Sequence, residues 1–141
     1  MNAKEYLKSI KRTDTDIKRM EKQQEQLQGK RYKITQNLNP VMVSGGGMQG
    51  GFSNASDDLI DLETVIDREK QRFERLRNEA CVLIRRVEDE KLYNVLYRYY
   101  ILYESFERIA ADEDCRYRTM CYRHGRALQA FQKVLDKQHA T

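Results

Sequence analysis

A chain of 141 residues with 26 Lys+Arg against 22 Asp+Glu, 34% charged and 40% hydrophobic, with seven Gly, one Pro and no Trp, has room for one domain or one domain with an extension. So high a charged fraction with so few helix breakers points to long helices and excludes sandwiches and barrels, and the length excludes large enzyme folds. No apolar run approaches the roughly 18 residues of a membrane span. The start MNAKEYLKSIKR is too charged for a signal peptide, and Cys81, Cys115 and Cys121 are too unevenly placed for a disulfide framework. A soluble, cytoplasmic protein with no membrane partner is expected.

Residues 1–38 carry ten basic and five acidic groups. Leu7, Ile10, Ile17, Met20, Leu27, Ile34 and Leu38 recur at the spacing of one helical face, interrupted by Asp14 and Gln24. Residues 39–55, NPVMVSGGGMQGGFSNA, hold no charge, the one proline and five of the seven glycines, and are predicted to be a flexible loop. A second helix is predicted to start at Ser56 as N-cap, with Asp57, Asp58 and Asp61 in its first turns. Leu59, Leu62, Ile66, Glu69, Phe73, Leu76, Ala80, Leu83 and Val87 then keep the alternating three-and-four spacing of a coiled-coil seam. Residues 56–90 carry seven basic and eleven acidic groups, opposite in sign to the first arm.

An antiparallel hairpin pairs residues whose numbers sum to a constant, and a sum near 93 explains the interruptions. It sets Val87 beside Tyr6 and Leu7, Leu83 beside Ile10, Leu76 beside Ile17, Phe73 beside Met20, Ile66 beside Leu27 and Leu59 beside Ile34. The polar Glu69 then faces Gln24, and the small Ala80 lies near Asp14. Apolar pairs are favoured because each buried side chain contributes roughly 1.5–3 kcal/mol, whereas an unmatched buried charge costs several. Arms of about 30 residues would reach roughly 45 Å. The rival arrangement pairs the second helix with its own copy in a homodimer.

Beyond Val87 the pattern changes. Glu88, Asp89 and Glu90 place acid at the start of a helix whose apolar stripe is Leu92, Tyr93, Leu96, Tyr97 and Tyr100. Ser105 is the expected N-cap of a short helix containing Phe106, Ile109 and Ala110 and ending near Asp112. Glu113, Asp114 and Cys115 can turn the chain, since Asp tolerates a left-handed backbone. A longer helix follows, with Met120, Cys121, His124, Leu128, Phe131 and Leu135 toward the core. Residues 88–141 thus read as a helix-turn-helix domain following a coiled-coil hairpin at 1–87, in an all-α fold.

From Cys115 to Leu135 there is no acid, and Arg116, Arg118, Arg123, Arg126 and Lys133 give a local charge of +5. Arg116, Arg118, Thr119, Tyr122, Arg123 and Arg126 fall off the core stripe of the last helix and are the candidate DNA-binding residues. In a major groove, Arg118, Thr119, Tyr122 and Arg123 would approach bases, while Arg116 and Arg126 would meet the phosphate backbone. Arginine suits this role because its fork can grip guanine O6 and N7 together.

The stretch from LYNVLYRYYILYESFERIA to HGRALQAF resembles the C-terminal helix-turn-helix of small phage proteins of the RinA and ArpU kind, which are similar to region 4 of bacterial sigma factors. The whole chain, from MNAKEYL to HGRAL, resembles a family of phage and prophage proteins from Gram-positive hosts. Its most specific elements are SFERIA at 105–110 and RHGRAL at 123–128. The resemblance implies a regulator of transcription, of late phage genes, that binds double-stranded DNA and acts with host RNA polymerase. Around the turn the chain departs from the family pattern. Glu113 stands where that family carries an apolar residue, Asp114 where it carries Gly or Asn, and Arg116 where it carries Ser. Without that serine, Asp114 is left to cap the recognition helix.

Other chemistry is expected to be absent. Cys121 and His124 are one turn apart, but no orienting carboxylate or oxyanion hole accompanies them, so no enzyme is predicted. Cys115, Cys121, His124 and His139 lack zinc-site spacing, and GGGMQGG lacks the Lys-Ser/Thr of a phosphate loop, so neither metal nor cofactor is expected. The tyrosines between 93 and 103 have core-packing spacing rather than that of a base-stacking platform. The alternative function is a coiled-coil structural or adaptor protein, including one that docks on polymerase without reading DNA.

Overall fold

The computed structural model describes residues 1–37 and 48–140, and every regular element among them is helical. In chain order these are α1 (Ala3–Asn37), α2 (Met48–Arg85), α3 (Glu90–Leu96) running directly into a π-helical turn (Tyr97–Ile101), α4 (Phe106–Asp112) and α5 (Tyr117–Ala140). The fold is all-α, and no described helix is long and apolar enough to cross a membrane.

One expectation is corrected at the start of α2. Residues 48–55 are helical, although they were expected to belong to the loop, and Ser56 therefore lies inside the helix instead of capping it. Glycine disfavours a helix by about 1 kcal/mol per residue but leaves its hydrogen bond intact, whereas proline removes it. A helix already nucleated in the strong segment beyond residue 57 can extend back through Gly50 and Gly51 without a new nucleus. The rest of the predicted loop, 39–47, lies outside the described residues, as do Leu38 and the side chain of Ile34.

The chain forms two compact units, residues 14–72 and residues 1–13 with 73–141. This division differs from the predicted boundary at Val87, because the first turns of α1 and the last of α2 pack with the C-terminal helices.

In the unit of residues 14–72, the seam positions are the shielded ones. Ile17, Leu59 and Ile66 are buried, and Asp14, Met20, Gln24, Leu27, Leu62 and Glu69 are half-buried, while most neighbours are exposed. The ion pairs Lys18–Asp14 at 3.4 Å, Arg19–Asp16 at 3.1 Å and Arg72–Glu69 at 3.7 Å run along single helices. Lys70 to Glu21, at 3.8 Å, connects α1 with α2. Such exposed pairs each contribute little, typically below about 1 kcal/mol, so apolar burial is the main source of stability.

The other unit has the larger core. Ala3, Leu7 and Ile10 of α1 meet Ala80, Leu83 and Ile84 of α2 and Val87 just beyond it, together with Leu92, Leu96, Tyr100 and Ile101 and with Ala127, Phe131 and Leu135 of α5. A second cluster joins Val95, Ile109, Ala110 and Met120, with Tyr99 and Phe106 against it. Asn2 caps α1, its Oδ1 accepting from the Glu5 amide at 2.8 Å, and the Ala3 amide donates to Gln132 Oε1 of α5 at 2.7 Å. An otherwise unpaired amide at the start of the first helix is thus satisfied by the last helix.

The π turn keeps the buried face of α3 in register. Leu96 and Ile101 are five residues apart and share a face only where the turn widens to i→i+5. The turn closes with the Leu102 amide on the Tyr97 carbonyl at 3.2 Å, and Tyr103 follows in left-handed backbone, φ 58°.

Candidate nucleic-acid interface

The candidate site lies on α4, the turn after it, and the first half of α5. Asp89 caps α3, its side chain accepting from the Lys91 amide at 3.0 Å. Ser105 caps α4 as expected, Oγ accepting from the Arg108 amide at 3.2 Å, and α4 ends at the expected Asp112. The end of α4 is a Schellman motif. The Cys115 amide donates to the Ala110 carbonyl at 2.9 Å and the Asp114 amide to the Ala111 carbonyl at 3.3 Å, with Asp114 left-handed at φ 54°. Asp114 therefore ends α4 and does not cap α5, whose first internal bond runs from the Met120 amide to the Arg116 carbonyl at 3.1 Å.

Two side-chain clamps hold this turn. Arg98, in the π turn and only 16% exposed, donates through Nε to Glu104 and through Nη2 to Asp112. Hydrogen bonding from Arg98 also holds the Asp112 carboxyl below its ordinary pKa. Glu113 takes a hydrogen bond from Asn94 Nδ2 of α3 on one oxygen and from Arg123 Nη1 of α5 on the other, the latter at 2.6 Å. The Arg123 head also lies 3.9 Å from Cys115 Sγ. Glu113, where the resembled family carries an apolar residue, is here a connector among three elements.

The inner face of α5 buries Met120, Ala127, Phe131 and Leu135. Cys121, expected in the core, is exposed, because the buried row steps from 120 through 127 and leaves 121 past its edge. His124 sits at the core edge, in ring contact with Tyr99, Tyr100 and Phe106, and its Nε2 lies 2.7 Å from Tyr100 Oη. Burial lowers the His124 pKa, helped by Lys4 and Lys8, while burial raises that of Tyr100. In its Nδ1–H tautomer the neutral ring accepts the hydrogen bond of the Tyr100 hydroxyl at Nε2. The tyrosines are packing groups: Tyr99 stacks on Phe106 at 4.2 Å between centroids and Tyr93 on Tyr97 at 6.3 Å.

On the opposite face, Arg116, Arg118, Thr119, Tyr122 and Arg126 are exposed. Tyr122 is 66% exposed, and the Arg126 guanidinium lies 5.9 Å from its ring centre. Among the described residues, Arg116, Arg118 and Arg126 form no ion pair. Arg123 departs from the expectation that it approaches bases. Its side chain is 20% exposed and committed to Glu113, so it belongs to the scaffold under the face. Sequence reasoning missed the Arg98 and Glu113 clamps. Their signal was polar residues within a buried stripe and a turn, which pair only once the π turn is known.

Among the described residues, no group of three or more His, Cys, Asp and Glu is placed to hold a metal ion. Compared with known proteins, the chain matches no family model, no curated protein and no solved structure.

Proposed function

We propose that this protein binds double-stranded DNA through the exposed face of α5 and acts as a phage or prophage regulator of transcription, with host RNA polymerase as its partner. The observation that carries this reading is the sorting of cations. Arg98 and Arg123 are neutralised inside the fold, while Arg116, Arg118 and Arg126 are exposed on the acid-free stretch from Cys115 to Leu135, beside Thr119 and Tyr122, and are in no ion pair among the described residues. A helix presented after a tight turn with such a face suits the major groove, with Arg118, Thr119 and Tyr122 toward bases and Arg116 and Arg126 on phosphates. The resemblance to RinA- and ArpU-like proteins supports the same reading.

The test is binding to a labelled duplex as salt is raised. Each phosphate contact should contribute about −0.9 to the slope of log affinity against log salt. Arg116→Ala with Arg118→Ala should weaken binding strongly and flatten that slope. No measurable affinity of the wild type at low salt would end the DNA reading.

A second reading, a coiled-coil adaptor or homodimer, is favoured by one observation. Ile60 is 60% exposed on α2, away from the seam. If that position joins copies, Ile60→Glu should halve the solution mass.

A further inference from the structure

Along α5 the exposed face does not stop at Arg126. Arg118, Tyr122, Arg126, Gln129, Lys133 and Lys137 succeed one another at steps of three and four, and all are exposed. The stripe rises roughly 28 Å along the helix. Its second half forms one wall of an open groove of about 790 Å³, whose other wall is the junction of α2 and α3. Four cations line this groove: Arg126, Lys133 and Lys137 from α5, and Arg86 just after α2. Among the described residues, none of the four is in an ion pair. Two acids, Glu88 and Asp89, also line it, but Asp89 is occupied in capping α3.

We propose that this groove is a second nucleic-acid contact, a track for the phosphate backbone that continues from the α5 face. The inference rests on the duplex-binding reading and extends it to residues outside the candidate set. Several features favour a polymer backbone. The cations form a row, with Arg126 to Lys133 rising about 10 Å and Lys133 to Lys137 about 6 Å, instead of converging on one point as a small-anion site would require. The groove is open, and Arg126 belongs both to it and to the α5 face, so one strand can pass from one to the other. Lysine on a flexible stem supplies charge without reading bases, so the track adds affinity that does not depend on sequence. Glu88 is the one lining carboxylate without a capping duty, and it opposes an incoming phosphate.

The experiment measures duplex affinity across a salt series for the full chain, the double variant Lys133→Gln with Lys137→Gln, and Glu88→Gln. These positions are exposed, the two lysine substitutions keep helix propensity and Glu88 lies between helices, so thermal unfolding should be almost unchanged. The lysine variant should bind every duplex more weakly by a similar factor, with a salt slope flatter by roughly 1.8 for two lost contacts. Glu88→Gln should bind a few-fold more tightly. If both variants keep wild-type affinity and slope while Arg116→Ala with Arg118→Ala loses binding, the groove is off the DNA path and the proposal fails with the α5 reading intact. A wild type without salt-dependent duplex affinity would overturn both. Replacing chloride by inorganic phosphate at equal ionic strength should leave affinity unchanged; displacement dependent on Lys133 and Lys137 would make the groove a free-phosphate site and overturn the backbone track.

Discussion

Glu113 accepts a 2.6 Å hydrogen bond from Arg123 with both side chains about four-fifths shielded, which removes from the candidate interface an arginine that the helical spacing alone would put there. Glu113→Ala would leave Arg123 without its carboxylate and Asn94 without its acceptor. Hydrogen bonds to charged groups contribute about 1.5–3 kcal/mol, and that loss should appear in denaturant unfolding. Because the pair acts as a unit, Arg123→Ala in the Glu113→Ala background should cost much less than Arg123→Ala alone. Additive losses would show that the pair is not coupled.

His124 and Tyr100 give the stability a dependence on pH. The folded-state pKa of His124 lies below its ordinary value of 6.5, through burial first and then Lys4 and Lys8. Below about pH 6.5 the unfolded chain therefore binds a proton that the folded chain resists, and stability falls as pH falls until the depressed folded pKa is passed. With the ring protonated, Nε2 carries a proton and the Tyr100 hydroxyl 2.7 Å away has to act as the acceptor. His124→Gln should flatten the melting-temperature profile between pH 7 and 5; an unchanged slope would exclude His124 as its source.

How much of this was legible in sequence depends on the period assumed. Leu7, Ile10, Ile17, Leu59, Ile66, Ala80, Leu83 and Val87 follow an α-helical repeat, and the structure buries each of them. The Ser105 cap and the left-handed Asp114 were readable because capping and turn chemistry are local. The π turn was not, because Ile101 is buried five residues after Leu96 and no 3.6-residue pattern connects them. Without it, Arg98 and Glu113 have no visible partners, and Arg123 looks free. The helix over residues 48–55 was missed for a different reason: glycine content measures propensity, and a neighbouring strong helix can override it.

Asp114 holds the left-handed position of the Schellman motif, where glycine has no Cβ penalty. Its amide bond to Ala111 and the Cys115 amide bond to Ala110 do not involve its side chain. Asp114→Gly should therefore keep the turn and raise stability by about 0.5–1 kcal/mol, since a left-handed backbone costs an L-residue roughly 1–2 kcal/mol and Asp somewhat less. Asp114→Val should lower it, because a β-branched side chain is strained there. A loss with glycine would mean that the Asp114 carboxylate has a stabilising role the geometry does not reveal.

Gly125 lies in α5 with ordinary negative φ, and a Cβ built on it meets nothing within 4 Å. It is seven residues after Arg118 and three after Tyr122, so it falls on the candidate DNA face. With no neighbour to displace and no positive φ to relieve, Gly125→Ala should stabilise the protein by about 0.5–1 kcal/mol, through lower backbone entropy in the unfolded chain and higher helix propensity. For a chain of this length that is a rise of about 2–3 °C in Tm, measurable by circular dichroism at 222 nm. If the duplex packs closely against α5, the same methyl group should weaken DNA binding while the fold gains stability, so the two measurements move in opposite directions. A fall in Tm would show that the backbone at Gly125 does not stay helical in solution, and the reading of α5 as one continuous surface from Arg118 to Lys137 would have to be abandoned.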